Sequence, residues 1–598
     1  MKTTLLDDLK PVFTKEKVFC RIVAAWCASA AMTLLSENGF FELSYAQSTG
    51  FGTLLATIAL FFVIFSAIAV MLPKIHTDSW ILLLAASLCV FKWLKEFAGR
   101  KNDFLFLLAV LLAYCIFLLY FLKVNDLILS KWQPSERVMM IFTAVCGVAS
   151  CAVIATITCL RYETYSSPNF DFGLFCNMFH YMKETGLPFA TSERNGLLSH
   201  FAVHISPIYY LLLPFYYIFP SPLTLQIGQA VVLASGIIPV YLIAKHYKLS
   251  GKMTMLVTMI YALYPALSAG CFYDIHENCF LTPLLLWLFY FFEKEKTIPM
   301  YIFAAAVLMV KEDAMVYIVF FAIYAIVSRK KYLHGTILAL ASLAYFGFAT
   351  YMLSTWGDGV MVNRFDNLIF NKDDGLVGAV KTALVNPGFF LSQLFTTKGD
   401  TWEKIIYFLQ LFLPLGLIPF CTKKFSRWLL LIPTLVNLVT YYVYQYNIGF
   451  QYSFGITAFV VYAMIQNIPE LHAPTRKTLI SIGAAACACM YIMTVLPKLD
   501  TYTSRYTSGK ATYDRMDEIL DTIPEDASLN VSTMLLAHVA DREVVYEVAY
   551  HGYVADTDYV VLDDRYNIKD EEIAKYEAIG YEVEEHHDGL IIIMKKAS

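Results

Sequence analysis

Residues 161–207 read RYETYSSPNFDFGLFCNMFHYMKETGLPFATSERNGLLSHFAVHISP, a polar stretch carrying histidines and carboxylates between two strongly apolar segments. Unpaired backbone in lipid costs several kcal/mol per group, so such a stretch lies at a membrane face or lines a cavity. Asp171 stands in it between Phe170 and Phe172, and 172–184 has the pattern of an amphipathic helix lying on a membrane surface. Asp171 also directly precedes that helix, where a short carboxylate makes a good N-cap, a role compatible with facing a cavity. We read the stretch as the front of an active site.

Composition places the rest of the chain in lipid. Of 598 residues, 58% are hydrophobic and 16% charged, and the mean hydropathy is +0.56, as in polytopic membrane proteins. A net charge of −4 gives no reason to expect a nucleic-acid partner. The thirteen cysteines fall almost entirely inside apolar segments, with no CxxC pair. They read as small packing residues, not as a disulfide framework or zinc site.

Outward from the loop, apolar runs near the bilayer-crossing length fall at 18–36, 51–73, 79–97, 103–122, 138–160, 223–244, 252–272, 278–292, 298–311, 313–328, 332–354, 404–421, 427–444, 453–468 and 478–497. The expected fold is an all-α polytopic membrane protein of about 15 transmembrane helices with a small C-terminal α/β domain. The expected division is 1–137 as accessory helices, 138–499 as the membrane core and 500–598 as a soluble domain. Segment 207–220, short and bounded by prolines, reads as a re-entrant or surface helix. An Ala28-Ser29-Ala30 triplet in the first run, after the basic Lys2, Lys10, Lys15 and Lys17, could serve a signal peptidase.

Connections at 123–137, 245–252, 293–296, 329–331, 423–427 and 472–477, nearly all Lys/Arg-rich, set the topology of a plasma-membrane protein with its N-terminus cytoplasmic. Lys92, Lys95, Arg100 and Lys101 run against that pattern. The outer face then gathers the loop 161–207, the turn 273–277, the turn 311–313, the polar stretch 355–403, the tyrosine-rich YQYNIGFQY at 444–452 and the tail from about residue 500. In the tail, 511–522 reads as a helix and SLNV, EVVY, DYVVLDD and GLIIIMK as strands. It has no glycine-rich phosphate loop and is expected to act as a support, a lid or a partner-binding module.

Ionisable residues at membrane depth are costly and therefore functional candidates. Asp274, His276 and Glu277 could bind a divalent cation (Mg or Mn) or act as acid and base, unless they merely solvate a turn. Lys311, Glu312 and Asp313 interrupt an otherwise continuous apolar run. Lys311 could hold a phosphate, or the three could staple a hairpin as an ion pair. His200 and His204 have i, i+4 spacing without an HExxH glutamate, so they suit substrate phosphate or sugar groups better than zinc.

The order NFDFGLFCNMFHYMKETG, SHFAVHISPIYYLLLPFYYIFPSPLTLQIGQA, YDIHEN, KEDA and QYSF, with IPEDASLNVSTMLLAHVADREVVYEV and DYVVLDD in the tail, resembles a family of predicted bacterial and archaeal membrane proteins, domain of unknown function 2079 (DUF2079). The resemblance runs from about residue 138 to 598; the first four spans look like an addition. That family in turn resembles the GT-C class of membrane glycosyltransferases, including the aminoarabinose and protein mannosyl transferases. The resemblance implies a GT-C-like membrane core, a polyprenyl-phosphate-linked sugar donor and a cell-envelope glycan, lipid or protein acceptor. It also implies a catalytic or metal-binding acid in the first large outer loop, here Asp171, and a second in the next outer turn, here within 274–277. This chain departs from the pattern in having Asp171 alone where many members carry paired acids, and His276-Glu277 where one acid is usual.

The expected roles are Asp171 and Glu277 as catalytic carboxylates, His200, His204, Lys311 and Glu312 as substrate-binding groups, and Asp274 with His276 as metal ligands. The rival readings are a transporter or lipid flippase, which requires inverted repeats and mid-membrane carboxylates, and a non-catalytic scaffold, in which the outer polar groups do not converge.

Overall fold

Helix Phe51–Met71, FGTLLATIALFFVIFSAIAVM, is apolar on every side and leaves Phe51, Leu55, Leu60 and Val63 exposed. A helix of that kind is at home only in lipid or a large core. In the computed structural model, which describes residues 11–36, 41, 50–73, 76–359, 363–397, 399, 402–548, 556–566, 568 and 570–597, six helices are long and apolar enough to cross a bilayer: Phe51–Met71, Asp103–Val124, Glu136–Glu163, Pro222–His246, Tyr332–Trp356 and Ala473–Leu520. Lys2 and Lys10 lie outside the described residues.

Several of the other expected spans are shorter. Gly251–Ala262, Leu281–Glu293, Thr297–Leu308 and Met315–Val327 have 12 or 13 residues, a rise of about 20 Å against a hydrocarbon core of about 30 Å. The missing length is broken backbone at 263–280 and 309–314, carrying only the five-residue helix Pro265–Ala269 and the 3-10 turns Glu277–Phe280 and Glu312–Ala314. Pro265 holds Tyr264 extended and stops the helix before it. Irregular backbone at such depth is tolerated where protein buries it or it lines a wet cavity, so these breaks mark where polar groups collect. Segment 207–220 is a 3-10 turn, Pro207–Leu211, and a six-residue helix, Leu213–Ile218, too short to cross.

One core runs without interruption from Ile154 through Tyr462 to Ile593. The N-terminal helices Lys15–Ser36, Phe51–Met71 and Thr77–Phe97 enclose a smaller one around Ala24, Ala25 and Leu82, where buried Arg21 grips Asp78 with Nε at 2.8 Å and Nη2 at 3.1 Å. A third cluster joins Leu94 and Leu111 to Ala486 and Met490, seating this bundle on the helix Ala473–Thr494. The Ala28-Ser29-Ala30 triplet lies within the first of these helices. All thirteen cysteines are free and buried or half-buried, in keeping with a packing role.

The tail begins as helix Leu496–Leu520, so the helix expected at 511–522 is the end of a longer one that continues from the last membrane helix. Beyond it, β3 (Leu529–Val531), β4 (Val545–Glu547), β5 (Tyr559–Asp563), β6 (Tyr581–His587) and β7 (Ile591–Lys596) form a sheet of order β4-β3-β5-β7-β6. β3 runs parallel to β4 and β5, whereas β7 is antiparallel to β5 and β6. β6, YEVEEHH, was not expected as a strand; its charged residues suit an exposed sheet edge.

The opposite edge is covered from the loop. Its own hairpin, β1 (Phe189–Ala190) with β2 (Leu198–Ser199), presents residues 191–195 to β4. Thr191 Oγ1 accepts from Val545 N at 3.0 Å, and the Asn195 side chain accepts from Glu547 N and donates to Glu547 O, both at 2.8 Å. Two side chains thus complete the ladder that an added strand would make.

Two expectations are corrected. The helix expected on the membrane surface is Leu174–Thr185, and it is amphipathic, but Phe175, Cys176, Asn177, Met178, Phe179 and Met182 are buried. Asn177 Nδ2 donates to Ala540 O at 3.0 Å and Arg542 O at 3.1 Å, so the helix lies under the C-terminal domain. The stretch 355–403, expected to be polar, carries the short helices Gly375–Val385 and Pro387–Gln393, which expose many apolar side chains.

Candidate active site

Asp171 has φ 71° and ψ −65°, the conformation of the rare, strained γ-turn. The N-cap of the following helix is Gly173, and no side chain bonds there. The expected capping role is therefore not what Asp171 does: its carboxylate has no hydrogen bond or ion pair among the described residues. Burial pushes its carboxyl above the ordinary carboxylate range; His276, Lys311 and His200 pull it back, and Glu277 opposes them. Those four groups come from the loop and from two turns far apart in sequence, so the outer groups converge.

At the centre of the convergence is Glu277, fully buried in the 3-10 turn Glu277–Phe280. Lys311 Nζ lies 2.9 Å from Oε1, and His276 Nδ1 lies 2.9 Å from Oε2 as close ion contacts. Tyr209 OH donates to Oε2 at 2.8 Å and accepts from Glu277 N at 3.0 Å. Burial alone would raise this carboxyl, but His276 and Lys311 hold it well below the ordinary range. With both oxygens in close contact with these groups and no exposed surface, Glu277 orients His276 and Lys311.

Asp274 is set into the wall in the same manner. Ser167 Oγ donates to Oδ1 at 2.9 Å and Gln226 Nε2 at 2.8 Å, while Arg161 Nε lies 3.3 Å from Oδ2. Its backbone, with φ 83°, is in the left-handed region. The expected cation pair, Asp274 and His276, does not fit a metal as arranged: the first carboxylate is committed to Arg161, Ser167 and Gln226, and the imidazole is turned to Glu277. Among the described residues no three His, Cys, Asp or Glu groups gather as a metal site, and we derive no step through a cation.

Glu312 is likewise committed, with Oε1 2.9 Å from His204 Nδ1 and Oε2 accepting from Ile205 N at 3.0 Å. It fastens the end of the loop to the turn. Burial pushes the His204 imidazole down to about 4, so it is neutral at physiological pH. His200 is different. Its Nδ1 lies 3.4 Å from Glu193 Oε2, and its Nε2 is buried with no hydrogen-bond partner among the described residues. A buried polar atom without a partner costs free energy and is a natural place for a ligand atom.

Asp313 completes the site. It is the exposed member of the 311–313 triplet and has no hydrogen bond or ion pair among the described residues. Beside it stands Arg364, whose guanidinium carbon lies 4.8 Å from the Tyr442 ring centroid and 5.1 Å from that of Tyr452, a cation–π arrangement. Among the described site residues, Asp171 and Asp313 are thus the carboxylates with neither a hydrogen bond nor an ion pair, and the Lys311 ammonium is close enough to act on both.

The sequence reading did not single out Arg161, Glu193, Tyr209 or Arg364. Arg161 opens the quoted loop, and a cation at the edge of an apolar helix, Glu136–Glu163, was the signal that could have found it.

The chain matches the family described as Predicted membrane protein (DUF2079) over residues 161–592. It belongs to that family. In this DUF2079 protein the matched span opens at Arg161, the partner of Asp274, and contains every site residue named above. Comparison with curated proteins gives no match. Solved structures to which this DUF2079 chain is similar include ArnT from Cupriavidus metallidurans bound to undecaprenyl phosphate, at 10% identity and a TM-score of 0.44 over 77% of this chain and 98% of that one. They also include ArnT from the same organism in the apo state, at 12% identity and a TM-score of 0.44 over 76% and 97%.

Proposed function

We propose that this DUF2079 protein is an integral-membrane glycosyltransferase that takes a sugar from a polyprenyl-phosphate donor at the outer face of the cytoplasmic membrane. The observation that carries the reading is Asp171: a carboxylate without a hydrogen bond or ion pair among the described residues, held in a strained turn and close to a network of His276, Glu277 and Lys311. Strained backbone persists where the surroundings over-determine it, and such positions cluster at active sites.

In this mechanism Asp171 takes the proton of an acceptor hydroxyl as its oxygen bonds to the anomeric carbon of the donor sugar. The bond from that carbon to the phosphate oxygen breaks, and the leaving polyprenyl phosphate keeps the electron pair. Lys311 and Arg364 are the cations positioned to stabilise it. His200 Nε2 offers its unused hydrogen-bonding capacity to a sugar or phosphate oxygen. Glu277, Asp274 and Glu312 position these groups. The N-terminus is cytoplasmic and the C-terminal domain extracytoplasmic, supported by the basic connections at 245–252 and 329–331 away from the Asp171 turn.

The test of the substrate class is binding. Thermal unfolding of the purified protein with polyprenyl phosphate should shift upward in a dose-dependent way, and the uncharged polyprenol should shift it less. Equal shifts would remove the phosphate from the reading.

A further inference from the structure

We propose that the helix pair Gly375–Val385 and Pro387–Gln393 is embedded in the bilayer leaflet on the side of the Asp171 site, with lipid acyl chains covering its apolar face. In Gly375–Val385, GLVGAVKTALV, the exposed residues Val377, Val380, Leu384 and Val385 follow i, i+3, i+7 and i+8 spacing and so form one stripe. Val377 is 73% and Leu384 79% exposed. The side turned to the protein is the one with small residues: Gly378 is buried, and a Cβ there would lie 3.1 Å from Asp374 Cβ and 3.3 Å from Ile369 Cγ2. A helix on a water-soluble protein has the opposite orientation, with its large apolar residues inward.

The patch extends to Phe370 before the helix and Phe395 after the second one, both exposed. The same chain presents other exposed apolar surface that the hydropathy assigns to lipid. Helix Tyr332–Trp356, one of the six crossing helices, exposes Phe348, Tyr351 and Trp356 near its end, where aromatic side chains mark a membrane interface. Lys381 interrupts the stripe, but its long stem allows the ammonium to reach the headgroups, in the direction of Asp374 at 3.8 Å.

Both ends of the segment are fixed beside the site. Asp358 N donates to Ala202 O at 3.0 Å, and Asn367 Nδ2 donates to Val439 O at 2.8 Å. Lys404 Nζ then donates to Gln393 O at 2.7 Å and Thr396 O at 2.8 Å. The pair is held at the periphery of the wall formed by Arg364, Tyr442 and Tyr452, with its apolar stripe outward. The inference does not depend on the chemistry at Asp171.

Photocrosslinking from single positions tests it. Benzoylphenylalanine is placed at Val377, at Leu384 and, as an aqueous reference, at exposed Asp373 in the full chain reconstituted in liposomes. Irradiated protein is then analysed by mass spectrometry for phospholipid adducts. Adducts at 377 and 384 at least tenfold above those at 373 are expected. Yields equal to the reference at all three positions would overturn the proposal, as would crosslinked dimers in place of lipid adducts at 377 and 384, which would make the stripe an interface between two copies. Because the substituted side chains are exposed, folding is kept, and near-UV circular dichroism of each variant verifies it.

Discussion

Asn169 and Glu547, 378 positions apart in sequence, meet at 3.0 Å with Nδ2 donating to Oε2. The same amide donates to Ser192 O at 3.0 Å, and Asn169 N donates to Thr533 Oγ1 at 3.1 Å. On the other side of Asp171, a Cβ added to Gly173 would lie 3.0 Å from Leu536 Cδ2. The C-terminal domain therefore clamps both flanks of the strained turn, which gives the domain a supporting role beside the site.

Replacing Asn169 tests the clamp. Asn169→Ala leaves the buried Glu547 carboxylate without this donor, and loss of a hydrogen bond to a charged group costs about 1.5–3 kcal/mol. Hydrogen exchange across 161–185 should accelerate in the variant. Glu547→Gln keeps an acceptor oxygen and should have a smaller effect; an equal or larger one would contradict the assignment.

Lys311 and Glu277 should behave as a coupled unit. Lys311→Met leaves a buried carboxylate short of its cation, and breaking a buried pair from one side costs about 3–5 kcal/mol. The double variant Lys311→Met, Glu277→Gln removes both charges and should unfold at a higher temperature than Lys311→Met alone. Simple additivity of the two single changes in detergent-solubilised protein would show that they do not interact.

His204 ties stability to pH. Its folded value of about 4 lies below the ordinary imidazole value of about 6.5, so between them the folded state holds fewer protons than the unfolded state. Stability from this group is full above pH 6.5 and falls as pH drops towards 4, by on the order of 3 kcal/mol. His204→Gln should flatten that part of the profile of unfolding temperature against pH; an unchanged slope would assign it to other groups.

These predictions rest on features of unequal legibility. The three polar clusters stand out in sequence because charges inside apolar runs are expensive, and their convergence is what the fold delivers. Which carboxylates remain free is not local information. In 311–313, Glu312 is consumed by His204 and Ile205 from the loop, while its neighbour Asp313 has no hydrogen bond or ion pair among the described residues. Asp171 resembled a cap because Asp before a helical run usually is one; its φ of 71° belongs to a turn whose flank at Asn169 is bonded to a domain some 360 residues later, which no local pattern announces. Glu277 looked catalytic for the same reason it is structural, since a buried acid must be paired. β6 was missed because its polar alternation has too few apolar residues to signal a strand. The stripe at 377–385 is masked in composition by Lys372, Asp373 and Asp374 beside it.

Asp171 carries the account, and sugar transfer from a polyprenyl-phosphate donor by purified protein tests it most directly, with wild type and Asp171→Asn compared across pH. General-base assistance contributes about 10²–10⁴-fold, so the variant should lose at least about 100-fold in rate while keeping its unfolding temperature. In wild type, the rate should fall as pH is lowered through a value above the ordinary aspartate range, because protonation of the raised carboxyl removes the base. A folded Asp171→Asn protein that transfers sugar at the wild-type rate would contradict the central claim.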